Sequence, residues 1–272
     1  MNVRRLSLNA AAVVLSAVFL FPVYWMFSSS FKRNSQVLTE DPVFFFTPTF
    51  EHYTTAQDAP LFWSYVRNSL VATVGAVVLA LVVALLASYA IARMRFRGKR
   101  AMVLTVMAAQ LAPWEVLVII VYLNARDLSM LNSVGTLLLV YFVMALPFTI
   151  WTLRGFIAAV PKELEESALI DGCSRTQAFY RIIFPLLAPG LMATSLFGFI
   201  LAWNEYAMVS VLNKTPGTET LPRWLNSFQT AFGNDWGATM AAASMFTVPV
   251  LVVFLLFQRR VTGGLAAGAV KG

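Results

Sequence analysis

The stretch SLVATVGAVVLALVVALLASYAIA, residues 69–92, carries no charged side chain and runs straight into Arg93, Arg95, Arg97, Lys99 and Arg100. A helix needs ~20 mostly apolar residues to cross the hydrocarbon core of a bilayer. This run is long enough, and the basic cluster behind it is too costly to leave in hydrocarbon. It reads as a membrane-spanning helix. Five more apolar runs surround it, at about 8–27, 101–123, 134–153, 190–208 and 237–257. Of the 272 residues, 59% are apolar and only 12% charged, about half the charged share of a soluble domain. Six spans and their connections use the whole length. The expectation is an all-α integral membrane protein with one transmembrane domain, 1–272, and no second soluble domain.

The connections supply detail. The first run follows Arg4 and Arg5 and carries Tyr24-Trp25, an interfacial anchor, near its end. A cleaved signal peptide is the rival reading, although its apolar region is normally shorter. A polar stretch, Lys32 to Tyr65, contains Phe44-Phe45-Phe46, which suits the membrane surface, and His52 in an ordinary outer-loop setting. The third run is interrupted by Gln110, Pro113, Trp114 and Glu115. The connection from Val209 to Trp236 is polar and carries Pro216-Gly217 and Pro222.

Loop charge sets the orientation. With the N-terminus inside, the inner segments hold Arg4, Arg5, the cluster Arg93 to Arg100, Arg154, Lys162, Arg175, Arg181, Arg259, Arg260 and Lys271. The outer segments hold only Lys32, Arg33, Arg67, Arg126, Lys214 and Arg223. Positive residues concentrate on the cytoplasmic side, so both termini are expected there.

Several functions are excluded by composition. A single cysteine, Cys173, forbids an internal disulfide, and a single histidine forbids a His-based metal site or a Ser/His triad. No GxxxxGK[ST] phosphate loop occurs, so the chain does not hydrolyse a nucleotide itself. No catalytic residue, metal or cofactor is assigned to it. The net charge is +7, but the basic residues form short clusters between apolar runs. That pattern reflects topology and membrane lipid, not the concentrated basic face of a nucleic-acid reader. Scattered carboxylates likewise give no enzyme site.

The connection 154–189 between the fourth and fifth runs is the most informative. It includes VPKELEESALIDGCSRTQAFYRIIFP, Val160 to Pro185. Pro161 suits the first position of a helix, and Glu163, Glu165 and Glu166 complement its N-terminal dipole. Leu164, Ala168 and Leu169 share a face. Gly172 can end the helix in the left-handed conformation. Ser174 with Gln177 forms a capping box that opens a second helix. Phe179, Ile182 and Ile183 give that helix an apolar side, and Pro185 stops it. The product is a helix–turn–helix elbow whose apolar face needs a partner. A helix lying on the lipid surface is the alternative.

This stretch resembles the EAA loop of importer permeases in the ATP-binding cassette superfamily, whose pattern is Glu-Ala-Ala, three residues, Gly, then a spacer to an Ile-x-x-Pro-like ending. Glu166, Ser167, Ala168 and Gly172 fill the first part here, with serine for the first alanine, and Ile182, Ile183 and Pro185 the last. Pro161-Lys-Glu-Leu-Glu-Glu with Ile170-Asp171-Gly172 is similar to the carbohydrate-uptake branch. Trp203-Asn204-Glu205-Tyr206 resembles that family's fifth-span signature, and the tail Gly264 to Gly272 resembles the end of the maltose-permease-like smaller subunit. The resemblance implies a type I importer permease fold in the inner membrane of a prokaryote. It implies a second permease subunit, an extracytoplasmic solute-binding protein and an ATPase dimer that holds ATP and Mg. It further implies that Glu165, Glu166, Ser167, Ala168, Asp171 and Gly172 couple the permease to that ATPase, and that the solute is a sugar or sugar-like compound.

Glu115 and Glu205 lie in or near apolar runs, where an ionisable group is costly and is a functional candidate. With Trp114, Trp203 and Asn204 they are candidates for the solute path. The tryptophans can stack on sugar rings or anchor the interface equally well. A self-contained secondary transporter is the competing function, but it would normally show two similar halves, and no inverted repeat is evident. Which sugar is carried is not legible in this chain.

Overall fold

The structure, a computed structural model, describes residues 3–39, 41–230 and 233–269. Glu40, Lys271 and the last residues of the tail Gly264 to Gly272 lie outside the described residues, as do the side chains of Arg4, Arg5, Arg259 and Arg260. The described chain is helical apart from one two-residue antiparallel pair. In order it forms α1 (Val3–Ser30), α2 (Asn34–Val37), α3 (Glu51–Gln57), α4 (Phe62–Arg93), α5 (Lys99–Gln110), α6 (Trp114–Asp127) and α7 (Val134–Ala159). There follow α8 (Lys162–Ile170), α9 (Arg175–Ala178), a π-helical turn (Phe179–Ile183), α10 (Phe184–Leu186), α11 (Ala188–Trp203) and α12 (Ala207–Leu212). Last come α13 (Leu221–Asn226), β1 (Gln229–Thr230) paired with β2 (Gly233–Asn234), and α14 (Trp236–Ala269). Among the described residues four helices are long and apolar enough to cross a bilayer, or up to six spans if each of two bent pairs counts as one. The chain divides into two compact units, residues 1–63 with 223–249 and residues 64–222 with 250–272.

In the first unit, α1 buries none of its apolar window within this chain. The polar connection behind it is folded. Lys32 is buried, with its Nζ 3.8 Å from the Trp25 ring centroid and 5.4 Å from that of Phe46. Burial lowers its ammonium below the ordinary lysine range. His52 is buried too, its Nε2 2.8 Å from the Lys32 carbonyl. It is therefore a packing residue of α3 and not a loop histidine. Phe45 is 97% exposed, as a surface anchor would be.

In the second unit, α4 shows two faces four residues apart. Ala72, Ala76, Ala80, Ala84 and Ser88 are buried, while Val74, Val78, Val82 and Leu86 are exposed. Small residues let helix backbones approach closely where lipid offers no hydrophobic drive. The same device joins α7 and α11. Gly190, Thr194 and Gly198 are buried on α11, and a Cβ on Gly190 would lie 2.6 Å from the Phe156 ring of α7.

The third run is interrupted at Pro113, as its sequence suggests: it is two helices, α5 and α6, meeting at 101°. Pro113 has no N–H and disfavours helix in the residue before it. One expectation changes: the fifth run ends at Trp203 instead of Met208, and the chain restarts as α12. The connection after it holds α12, α13 and the β pair. Its start is tied down by side chains: Asn132 Oδ1 accepts the N–H groups of Lys214 and Thr215 at 2.8 and 3.0 Å, and Asn68 Nδ2 donates to the carbonyls of Gly217 and Glu219.

Candidate functional site

The segment between α7 and α11 builds the elbow from local chemistry. Pro161 lies one residue ahead of α8, with Glu163 and Glu165 in the first turn. Asp171 ends α8 and Gly172 follows with φ +84°. The Cys173 N–H reaches the Ala168 carbonyl at 2.9 Å and the Gly172 N–H the Leu169 carbonyl at 3.2 Å. These two bonds are the Schellman closure of a helix end, and they require the left-handed residue between them. Ser174 then caps α9 reciprocally. Its Oγ accepts the Gln177 N–H at 3.3 Å, and Gln177 Oε1 accepts the Ser174 N–H at 2.8 Å.

The second limb departs from expectation. Pro185 does not stop it. A π-helical turn comes first, closed by Phe184 N–H on the Phe179 carbonyl, and Pro185 then sits at the start of α10. At that position its missing N–H has no helical partner to lose. The actual break is at Leu187, where the chain bends by 68° into α11.

The coupling candidates separate by exposure. Ala168 is buried against the second unit's core, whereas Glu166, Ser167, Asp171 and Gly172 are exposed. Leu164 and Leu169 are also exposed, and Ile170 is 85% so. The elbow thus presents Ile170 to its surroundings, while Leu164 and Leu169 flank the buried Ala168 and are partly covered. Glu165 turns the other way. Its Oε1 accepts the Tyr89 hydroxyl at 2.5 Å and its Oε2 lies 3.5 Å from Arg93 Nε. Arg93 Nη2 also donates to the Val160 carbonyl at 2.6 Å. A groove of about 730 Å³ lies beside this cluster, lined by Arg95, Lys162, Glu166 and Arg175 among others. Sequence reasoning missed Tyr89 and the distinct role of Arg93, which had been grouped with the exposed topology charges. The available signal was their i, i+4 spacing at the end of α4.

The path candidates also divide. Trp203 is 1% exposed and stacked on Phe199 at 5.3 Å, so it has no free face for a sugar. Asn204 is exposed and donates to the Ile200 carbonyl at 2.7 Å, and Glu205 accepts the Met208 N–H at 2.7 Å. The two side chains finish α11 and start α12. Trp114 and Glu115 open α6 directly after Pro113, with Glu115 exposed. Helix α6 packs on α12, so the break before α6 and the break before α12 face the same region. Irregular backbone at membrane depth is tolerated where it is buried in protein or lines a water-filled cavity.

Residues 76–265 match the model of a family described as binding-protein-dependent transport system inner membrane component. The chain is 60% identical over 265 residues to the diacetylchitobiose uptake system permease protein DasC of Streptomyces coelicolor, covering 97% of this chain and 96% of that one. It is 35% identical over 255 residues to the trehalose transport system permease protein SugB of Mycobacterium tuberculosis, covering 93% of each. A crystal structure of a bacterial transporter for the polysaccharide alginate superposes with a TM-score of 0.78 at 23% identity, over 94% of this chain and 96% of that one.

Proposed function

This chain belongs to the family of binding-protein-dependent transport system inner membrane components and is a permease subunit of an ATP-binding-cassette sugar importer; from that premise we propose that it carries an N-acetylated disaccharide of the diacetylchitobiose class and couples to its ATPase through the α8–Gly172–α9 elbow. The permease is not the enzyme of the system. ATP and Mg belong to the partner ATPase dimer, which seats on the exposed face of α8. A second permease completes the path, and a solute-binding protein delivers the sugar at the opposite surface. The chain acts as one transmembrane domain with both termini on the cytoplasmic side. A self-contained secondary transporter is not favoured.

The observation that carries the coupling role is the pairing of a stereochemically fixed turn at Gly172 with the exposed residues Leu164, Leu169 and Ile170. Glu166, Ser167 and Asp171 lie around Ile170 on the outer side of α8 as polar contacts, and Ala168 fixes how closely α8 lies on its own unit. The solute path is assigned to the adjoining breaks that hold Trp114, Glu115, Asn204 and Glu205, with Trp203 as their support. The substrate class rests on the relative with 60% identity. The test is uptake of labelled N,N′-diacetylchitobiose by cells with this gene deleted and restored, against trehalose in parallel. Restoration of diacetylchitobiose uptake alone is expected. Restoration of trehalose uptake alone would overturn the substrate assignment.

A further inference from the structure

The coupling reading makes the elbow meet the ATPase, but a permease must also deliver the elbow's displacement to its spans. Two adjacent carboxylates on α8 divide these tasks. Successive helix residues point about 100° apart, so Glu166 is exposed while Glu165 faces the end of α4. The Arg93 and Glu165 side chains are only 7% and 15% exposed, and a pair so far out of water is screened little by salt. Tyr89 reaches both limbs of the elbow. Its hydroxyl donates to Glu165 on α8, and its ring meets Phe179 of the second limb edge-on at 5.0 Å. Arg93 ties Glu165 and the Val160 carbonyl at the end of α7 to the same point.

Helix α4 continues from that point without a break for 32 residues, about 48 Å of helix. Its buried stripe of alanines is packed along the way. At its far end Asn68 holds the carbonyls of Gly217 and Glu219, and Ser69 Oγ accepts the Leu221 N–H at 2.7 Å. One continuous element is therefore bonded to the elbow at one end and to the 217–221 segment at the other. Coupling between distant sites travels through such contiguous packed and hydrogen-bonded elements.

We propose that Glu165 is not a docking contact but a positioning residue, which through Tyr89 and Arg93 locks the elbow to α4 so that α4 carries the elbow's movement across the membrane to the 217–221 segment. The proposal rests on the elbow being the coupling element.

The test uses the complete complex, with ATPase and binding protein, in proteoliposomes supplied with labelled N,N′-diacetylchitobiose. Glu165→Gln and Tyr89→Phe preserve shape and remove the charge or the hydroxyl. Each is expected to leave ATPase co-purification at the parental level. Each is expected to lower sugar moved per ATP hydrolysed by about 2- to 30-fold, the range that mutations along a coupling network produce. The double variant should fall short of the product of the two singles, because both weaken the same Tyr89–Glu165 bond. In a Cys173→Ser background, bridging Tyr89→Cys to Glu165→Cys with a short bifunctional thiol reagent should recover the ratio lost before cross-linking. Loss of ATPase from the Glu165→Gln complex would make the residue a docking contact and overturn the proposal. An unchanged transport-to-hydrolysis ratio would overturn it too. Gly172→Val in the same preparation separates the two readings. If that variant binds and couples normally, the elbow reading fails and the clip with it. If it is impaired while Glu165→Gln couples normally, only the clip fails.

Discussion

Replacing Gly172 isolates backbone conformation from packing. Its φ is +84°, and a Cβ built there would meet no atom within 4 Å. An added Cβ therefore meets nothing in this chain, and the cost within the chain comes from the left-handed backbone. That conformation costs an L-residue about 1–2 kcal/mol, with β-branched residues worst and asparagine tolerated best. The alternative to enduring the strain is to leave the left-handed region. That breaks the bonds from Cys173 and Gly172 to the Ala168 and Leu169 carbonyls and swings α9 relative to α8. On this reasoning Gly172→Asn should be close to parental. Gly172→Ala should reduce the population of the competent elbow by about 5-fold, and Gly172→Val by about 30-fold, the factors that about 1 and 2 kcal/mol confer. The assay is co-purification of the ATPase with each variant, followed by vesicle transport, with membrane insertion checked by yield. Equal defects in the asparagine and valine variants would refute the conformational argument, since it is their backbone tolerance that differs.

Two further outcomes follow from the geometry. Cysteine at the exposed position Ser35 should react with an impermeant thiol reagent on intact cells while Cys173 stays unlabelled until the membrane is opened, and labelling of Cys173 in intact cells would reverse the orientation. Gly190→Val should destabilise the detergent-solubilised chain by about 1–3 kcal/mol, the cost of overpacking a filled site, because the added Cβ would lie 2.6 Å from the Phe156 ring; a thermal-unfolding midpoint equal to the parent's would contradict the α7–α11 packing.

The sequence is most transparent where one physical constraint acts locally. Bilayer thickness fixes the length of a span, so hydropathy locates α1, α4, α7 and α14 without reference to their neighbours. Gly172 and the Ser174–Gln177 pair are legible for the same reason, since each determines the backbone within a few residues. Pro185 misled because the usual rule against proline inside a helix ignores the start of a new helix, where no hydrogen bond is lost. A π-helical turn just ahead supplied such a start. The Ala72 to Ser88 stripe was open to inspection, but hydropathy along a window does not ask which face the small residues share. Glu165 and Glu166 were not separable at all. They are adjacent carboxylates of one helix, and what distinguishes them is Tyr89 and Arg93, more than 70 positions away and brought close only by tertiary packing.

The residues proposed for the solute path have structural tasks of their own. Trp203 and Trp114 were equivalent in sequence, each a ring suited to a sugar face or to an interface. Burial distinguishes them: Trp203 is enclosed against Phe199, while Trp114 is partly open at the start of α6. The polar members of the Trp-Asn-Glu signature have a prior structural task. Asn204 satisfies a carbonyl at the end of α11, and Glu205 satisfies an N–H at the start of α12. A helix interrupted inside a membrane leaves polar backbone groups that water cannot reach, and each unsatisfied group is costly. Asn204 and Glu205 meet part of that cost locally. The consequence is an irregular segment stabilised ahead of α12, with a second break at Pro113 ahead of α6, which packs on α12 and carries the exposed Glu115 in its first turn. Polar side chains that make a helix break stable also make its lining polar. A break so stabilised can therefore serve a hydroxyl-rich solute without a separate set of binding residues having been evident in the chain.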